Sequence, residues 1–177
     1  LRVLDMADAA GVPVVEDAAQ ALGARDHRGP IAGRGTAGAC LSFYPTKNIT
    51  SVEGGAFLTD DPERAERARR LRLHGMTSDA WARYRTGNAP VYDLPELGIK
   101  ANLPDVLAAL ARTQLARLPQ LQSRRRALVS LYRALLASEI PDVTVVPADA
   151  DHRSADHLMV VILPAGVDRD GVVADLA

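Results

Sequence analysis

An α/β architecture is expected from this 177-residue chain. Short apolar runs bounded by glycine, proline and acidic residues, at 12–15, 39–43 and 56–59, read as strands, the first of them buried, and segments of helical periodicity precede and follow the three. Polar side chains gather just past two of those runs, where open α/β sheets hold their ligands: Glu16 and Asp17 after the first, Ser42 to Asn48 after the second. Composition fits a folded domain or part of one, with 47% hydrophobic and 24% charged residues.

The elements follow in order. Leu1 to Ala10 carries a weak helical pattern in Leu1, Val3, Leu4 and Met6, and Gly11 with Pro13 stops it. Residues 12–15 read as a short buried strand ending at Glu16 and Asp17, and 18–24 lead into a loop rich in Gly and Arg. A second strand covers 39–43, followed by a polar turn over 45–50, and Gly54-Gly55 precedes a third strand over 56–59. Asp60-Asp61-Pro62 then caps a helix, with Asp at the cap and Pro in the first turn, running from Glu63 to about Leu73. Its arginines, Arg64, Arg67, Arg69, Arg70 and Arg72, read as a solvated face. Residues 75–98 lack periodicity and read as a long loop, of the kind that serves function or a partner. A helix from Pro104 to Leu118 follows, with Val106, Leu107, Leu110 and Leu115 on one stripe. Pro119 is expected to break it, and a further helix runs from about Gln120 to Ala137. Beyond Pro141, residues 143–146 and 158–163 look like strands, and Gly166 and Asp168 introduce a last helix. A domain boundary is expected between 120 and 140, dividing the chain into 1–125 and 126–177.

Charge and cysteine content narrow the function classes. With 21 basic and 22 acidic residues the formal net charge is −1, which argues against broad electrostatic capture of nucleic acid. The one cysteine, Cys40, excludes an intrachain disulfide and a cysteine-based zinc cluster, and it is expected in the core of its strand. A reducing, cytoplasmic setting is the simple reading. No apolar run is long enough to span a bilayer, and Asp5, Asp8 and Gly11 interrupt any signal-like stretch. The chain opens at Leu1 without Met, in helical pattern, and closes at Ala177 in another, so it is expected to be a piece of a longer protein.

The strand-end residues carry the chemistry. An acid, a hydroxyl and a lysine converging beyond a sheet edge could hold a phosphorylated pyridine cofactor. Spacing alone leaves a plainer alternative, in which Lys47 is a surface lysine in a turn and Asp17 a capping residue.

At these residues the sequence resembles a known family. Residues 15–24, Val-Glu-Asp-Ala-Ala-Gln-Ala-Leu-Gly-Ala, are similar to the aspartate motif of the DegT/DnrJ/EryC1/StrS sugar aminotransferases. Ser42 to Thr50 with Glu53-Gly54-Gly55-Ala56 resembles that family's lysine motif, and residues 71–75 and 98–105 match further segments in the same order. The resemblance implies part of the large domain of a fold-type I enzyme dependent on pyridoxal 5'-phosphate (PLP), with the start of the small C-terminal domain. It implies that Asp17 keeps the pyridine nitrogen protonated, that Lys47 holds PLP as a Schiff base and moves the catalytic proton, that Gln20 lies near the ring hydroxyl, and that Ser42 donates to the phosphate. Lys100 and Asn102 fall where the family reaches across to a neighbouring subunit's phosphate, which implies a homodimer with shared sites. Either of them is a candidate phosphate contact, because many members carry Asn and Arg there.

The resemblance also implies a reaction: transfer of an amino group, from a donor such as glutamate, to a nucleotide-linked keto sugar in amino-sugar biosynthesis. Alternatives are a member aminating a cyclitol ketone and a non-catalytic protein of the same fold. The family's dehydratases carry His in place of the lysine, and Lys47 argues against that branch. The family's upstream phosphate-binding turn has no counterpart here, since Gly33-Arg34-Gly35-Thr36 lies between the two motifs. The isolated chain is therefore expected to be inactive. His157 sits in a segment where the family often has an aromatic residue before His-Leu, whereas Asp156 stands there in this chain. His74 reads as packed or capping.

Overall fold

The computed structural model describes residues 2–77, 93–147 and 152–177. Helix α1 spans Arg2–Ala9 and closes through Ala10 and Gly11, the latter in the left-handed region at φ 65°. Strand β1 is Val15–Asp17, later than the expected 12–15. Val12 spends its N–H on the Ala7 carbonyl of the closing helix turn, at 2.9 Å. Pro13 has no N–H to give, so the ladder begins only beyond it.

A hairpin follows where a loop was expected: β2 is Arg25–Asp26 and β3 is Gly29–Pro30. Its hold comes from side chains. Asp26 accepts the Arg28 N–H at 2.8 Å and both its oxygens take Arg34 Nη1 at 2.9 Å. Partial burial works to raise the Asp26 carboxyl, but the Arg34 fork, the Arg28 N–H and the two positive charges outweigh it and hold its pKa at about 2.

Strand β4, Gly38–Ser42, lies parallel to β1, with Val15 opposite Gly38 and Asp17 opposite Cys40. Strand β5, Gly55–Leu58, pairs antiparallel on its other side, Ala39 opposite Leu58 and Ser42 opposite Gly55. Ala39 is buried on this three-stranded sheet and Ala18 is buried just past the end of β1. Cys40 points the other way and is exposed, which corrects its expected place in the core. An unbroken apolar run hides the alternation that a strand imposes on its side chains.

Helix α2, Pro62–Leu71, starts as expected, with Asp61 accepting from Glu63 N–H at 2.9 Å and Arg64 N–H at 3.2 Å. Its arginine face is partly engaged: Arg67 and Arg70 grip Glu96 at 2.9 and 3.1 Å. The segment expected as a long loop falls largely on 78–92, outside the described residues.

Helix α3 is one continuous element, Asp105–Glu139, running through Pro119. The expected break does not occur. Proline removes a single helical bond, the one to the carbonyl four residues back. Pro119 is exposed, and a buried residue on each side, Ala111 and Gln122, anchors the axis across it.

Strands β6 (Thr144–Val145) and β8 (Val161–Ile162) pair antiparallel, within the two runs expected as strands. Between them β7, His152–Arg153, adds to the hairpin at β2, with Arg25 opposite Arg153, and so brings the C-terminal segment to the loop after β1. Helix α4, Arg169–Leu176, is capped by Asp168. No helix among the described residues is long and apolar enough to cross a membrane.

Candidate active site

The parallel pairing of β1 and β4 decides the site's layout. Both strands run the same way, so Asp17 and Ser42 stand at the same, carboxyl end of two adjacent strands. Successive side chains on a strand alternate. Glu16 turns to the opposite face and is used structurally, its Oε2 accepting the Gly33 N–H at 2.8 Å. Asp17 is exposed at the strand end. Its Oδ1 accepts the Ala19 N–H at 3.1 Å, the capping role of the plainer alternative, while Oδ2 has no protein partner among the described residues. Gln20 is exposed in the turn that follows.

Past Ser42 the chain folds into a compact loop. Phe43 is held on both sides, its N–H on the Gly54 carbonyl at 2.8 Å and its carbonyl taking the Ser51 N–H and the Thr50 hydroxyl at 3.0 Å each. Ser42 Oγ accepts the Tyr44 N–H at 3.3 Å. The Lys47 N–H bonds to the Tyr44 carbonyl at 3.0 Å, and Lys47 is half-buried, with no ion pair to its amine among the described residues. The sequence holds only two lysines, Lys47 and Lys100.

The segment carrying Lys100 and Asn102 comes to the same region from another direction. Ile99 and Ala101 donate to the Leu71 and Arg72 carbonyls, both at 2.8 Å, and Lys100 bridges to Leu73. Lys100 is exposed and Asn102 half-buried. Leu103 then packs on Gly54, which sits at φ 143° and where a Cβ would meet Leu103 Cδ1 at 2.7 Å and Ser51 Oγ at 3.0 Å. Glu96, held by Arg67 first and by Arg70, stays below the usual carboxylate range against partial burial. His74 is exposed in the left-handed turn after α2, at φ 62°, with its N–H on the Ile99 carbonyl.

Reading the sequence missed a polar cluster next to Lys47. Asn48 and Gln122 are 5% and 4% exposed. Asn48 Nδ2 lies 3.1 Å from the Leu22 carbonyl, 2.6 Å from the Ala155 carbonyl and 3.3 Å from Gln122 Oε1. Gln122 Nε2 also donates to the Ala155 carbonyl, at 2.8 Å. His157 Nδ1 sits 3.0 Å from Asn48 Oδ1. Burial, then the charges of Lys47 and Arg125, hold the His157 imidazole below its ordinary pKa. Asp156, at the position where the resemblance called for an aromatic residue, takes Gln122 Nε2 at 3.4 Å and lies 3.9 Å from Arg126. In the sequence Asn48 stands in the lysine-motif turn, His157 and Asp156 in a family-like segment, and Gln122 as a polar residue within the apolar periodicity of α3, but nothing there joins them. Among the described residues, no group of three or more His, Cys, Asp or Glu could hold a metal ion.

A family model for the DegT/DnrJ/EryC1/StrS aminotransferase family matches residues 2–177. Among solved structures, DesV from S. venezuelae, in complex with a ketimine intermediate, is 34% identical, with a TM-score of 0.82, over 98% of this chain and 43% of that one. Spr1654 from Streptococcus pneumoniae, named as a candidate sugar aminotransferase and solved in a PLP form, is 26% identical, with a TM-score of 0.77, over 93% of this chain and 41% of that one. DesI, solved in the presence of its TDP-sugar product, is 28% identical, with a TM-score of 0.80, over 97% of this chain and 41% of that one. The chain thus spans less than half the length of each. The expected α/β class and aminotransferase fold are both met.

Proposed function

We propose a function from one premise: the chain belongs to the DegT/DnrJ/EryC1/StrS aminotransferase family. The protein it represents transfers an amino group, from a donor such as glutamate, to a keto sugar carried on a nucleotide. The observation that carries this reading is the meeting of Asp17 and Ser42 at the carboxyl ends of adjacent parallel strands, with Lys47 five residues beyond Ser42 and free of any ion pair among the described residues. Support for the substrate class comes from the TDP-sugar product of DesI, and for the cofactor from the PLP form of Spr1654.

The donor set fits pyridoxal phosphate: a carboxylate oxygen without a protein partner, a hydroxyl at a strand end and an amine in a turn. When bound, that cofactor supplies an electron sink for removal of a carbon-bound proton. Asp17 Oδ2 would, by its charge, favour a protonated pyridine nitrogen. Lys47 Nζ would hold that cofactor covalently and would be the group that moves a proton at the reacting carbon. Ser42 Oγ would donate to the phosphate, and Gln20 would serve the ring hydroxyl. Lys100 or Asn102 would contact the phosphate held in a partner subunit of a twofold dimer, each able to donate to an anion. Residues 1–125 form the cofactor-holding part, and 126–177 the rest of the long helix and the start of a small domain.

Borohydride reduction of the full-length protein loaded with cofactor tests the reading. The label is expected on the peptide containing Lys47. A label on any other lysine instead would overturn it.

A further inference from the structure

Asn48 directly follows Lys47, so whatever fixes the Asn48 side chain also fixes the backbone from which Lys47 reaches. The cluster around it is chemically over-determined. The Leu22 and Ala155 carbonyls can only accept, so the Asn48 face toward them, at 3.1 and 2.6 Å, must be the NH2 group. The Ala155 carbonyl fills its second lone pair from Gln122 Nε2, at 2.8 Å, which orients that amide as well. Asn48 Oδ1 is thereby turned to His157, and an amide oxygen accepts only, so His157 must carry its proton on Nδ1. Gly23 completes the fit, since a Cβ there would come within 2.9 Å of Gln122 Oε1.

These groups come from four separate parts of the chain: the turn after β1, the loop after β4, the middle of α3 and the segment after β7. On the reading of Lys47 as the cofactor lysine, we propose that His157 is a positioning residue. Through its Nδ1–H bond to Asn48 Oδ1 it ties the Lys47 loop to residues 155–157, beside the Asn48–Gln122 bond that ties it to α3, and so sets where the Lys47 amine reaches. Burial and the positive charges of Lys47 and Arg125 favour the neutral ring, the form this bond uses.

The test uses the full-length protein with His157→Phe, which keeps a ring but no N–H, and His157→Asn, whose amide nitrogen stands near the place of Nδ1. In cofactor-free protein, amide hydrogen exchange over 47–51 is expected to quicken about tenfold in the Phe variant, the scale of one lost hydrogen bond. In loaded protein, kcat should fall about tenfold or more with the sugar KM nearly unchanged, because a misplaced amine slows chemistry rather than binding. The Asn variant should restore both. An Asn variant no better than Phe, a fall in kcat without faster exchange at 47–51, or faster exchange with normal kcat would each overturn the proposal. So would nitrogen chemical shifts placing the His157 proton on Nε2 in the unmodified protein, a measurement that needs no variant to fold. The exchange and tautomer measurements require no cofactor. A borohydride label on Lys100 would therefore sink the parent reading while leaving the tie between loop and helix measurable.

Discussion

Replacing Asn48 with aspartate changes almost no volume and reverses one edge of the side chain. In the native protein the Nδ2 edge faces three acceptors, at 3.1, 2.6 and 3.3 Å. In Asn48→Asp a carboxylate oxygen would face them, at a site where the residue is 5% exposed. The Ala155 carbonyl keeps its bond from Gln122, but the Leu22 carbonyl loses its side-chain donor. A flip of Gln122 would offer the carboxylate a donor only by turning its own oxygen on Ala155. The part-buried Leu22 acceptor left unsatisfied costs at most about 1–3 kcal/mol, and a carboxylate set against the Ala155 carbonyl at a buried site adds to it, so a loss of about 3 kcal/mol is expected. Asn48→Ala removes the same donors without the opposed oxygen and should cost no more than the aspartate. Urea unfolding of full-length protein at pH 7.5, at one fixed concentration, compares the three forms. An aspartate variant within about 0.5 kcal/mol of the native protein, or clearly milder than alanine, would show that Nδ2 does not face those carbonyls, and the argument for the His157 proton would fall with it.

Three further outcomes are expected. Asp17→Ala should retain cofactor but lose about 10²-fold or more in the chemical step, as when one strong electrostatic contributor is removed; near-normal turnover would end its pairing with the ring nitrogen. Inactive full-length Lys47→Ala chains mixed with inactive chains changed at both Lys100 and Asn102 should regain part of the activity, because one site of each mixed dimer is whole; mixed dimers that form and stay inactive would confine the 100–102 segment to its own subunit. Asp26→Asn should remove a stability contribution that is complete above the ordinary carboxyl value of 3.8 and is lost as pH falls through about 2, since the native carboxyl is depressed. Acid titration of native and variant protein should therefore converge across that window, and a difference that persists below it would refute the assignment.

Some of this was legible because its cause is local. Asp61 and Pro62 announce α2, since a cap is a bond between near neighbours. The runs at 39–43 and 56–59 become β4 and β5, and Asp17, Ser42 and Lys47 stand in contiguous motifs whose strand-end setting is a matter of a few residues. Other features misled or stayed silent. Pro119 carries a strong local bias to break a helix, yet the helix continues, held by burial on either side that no local window contains. Two-residue strands such as β2, β3 and β7 are too short to show a period. Cys40 looked buried within an apolar run, and only its pairing with Phe57 across the sheet reveals which face it takes. The Asn48 cluster is the extreme case: its partners lie 26, 74, 107 and 109 residues away. A buried amide is tolerable only where distant acceptors and donors are brought to it, so its role is set by folding, whereas caps, strands and motif residues take theirs from the chain beside them.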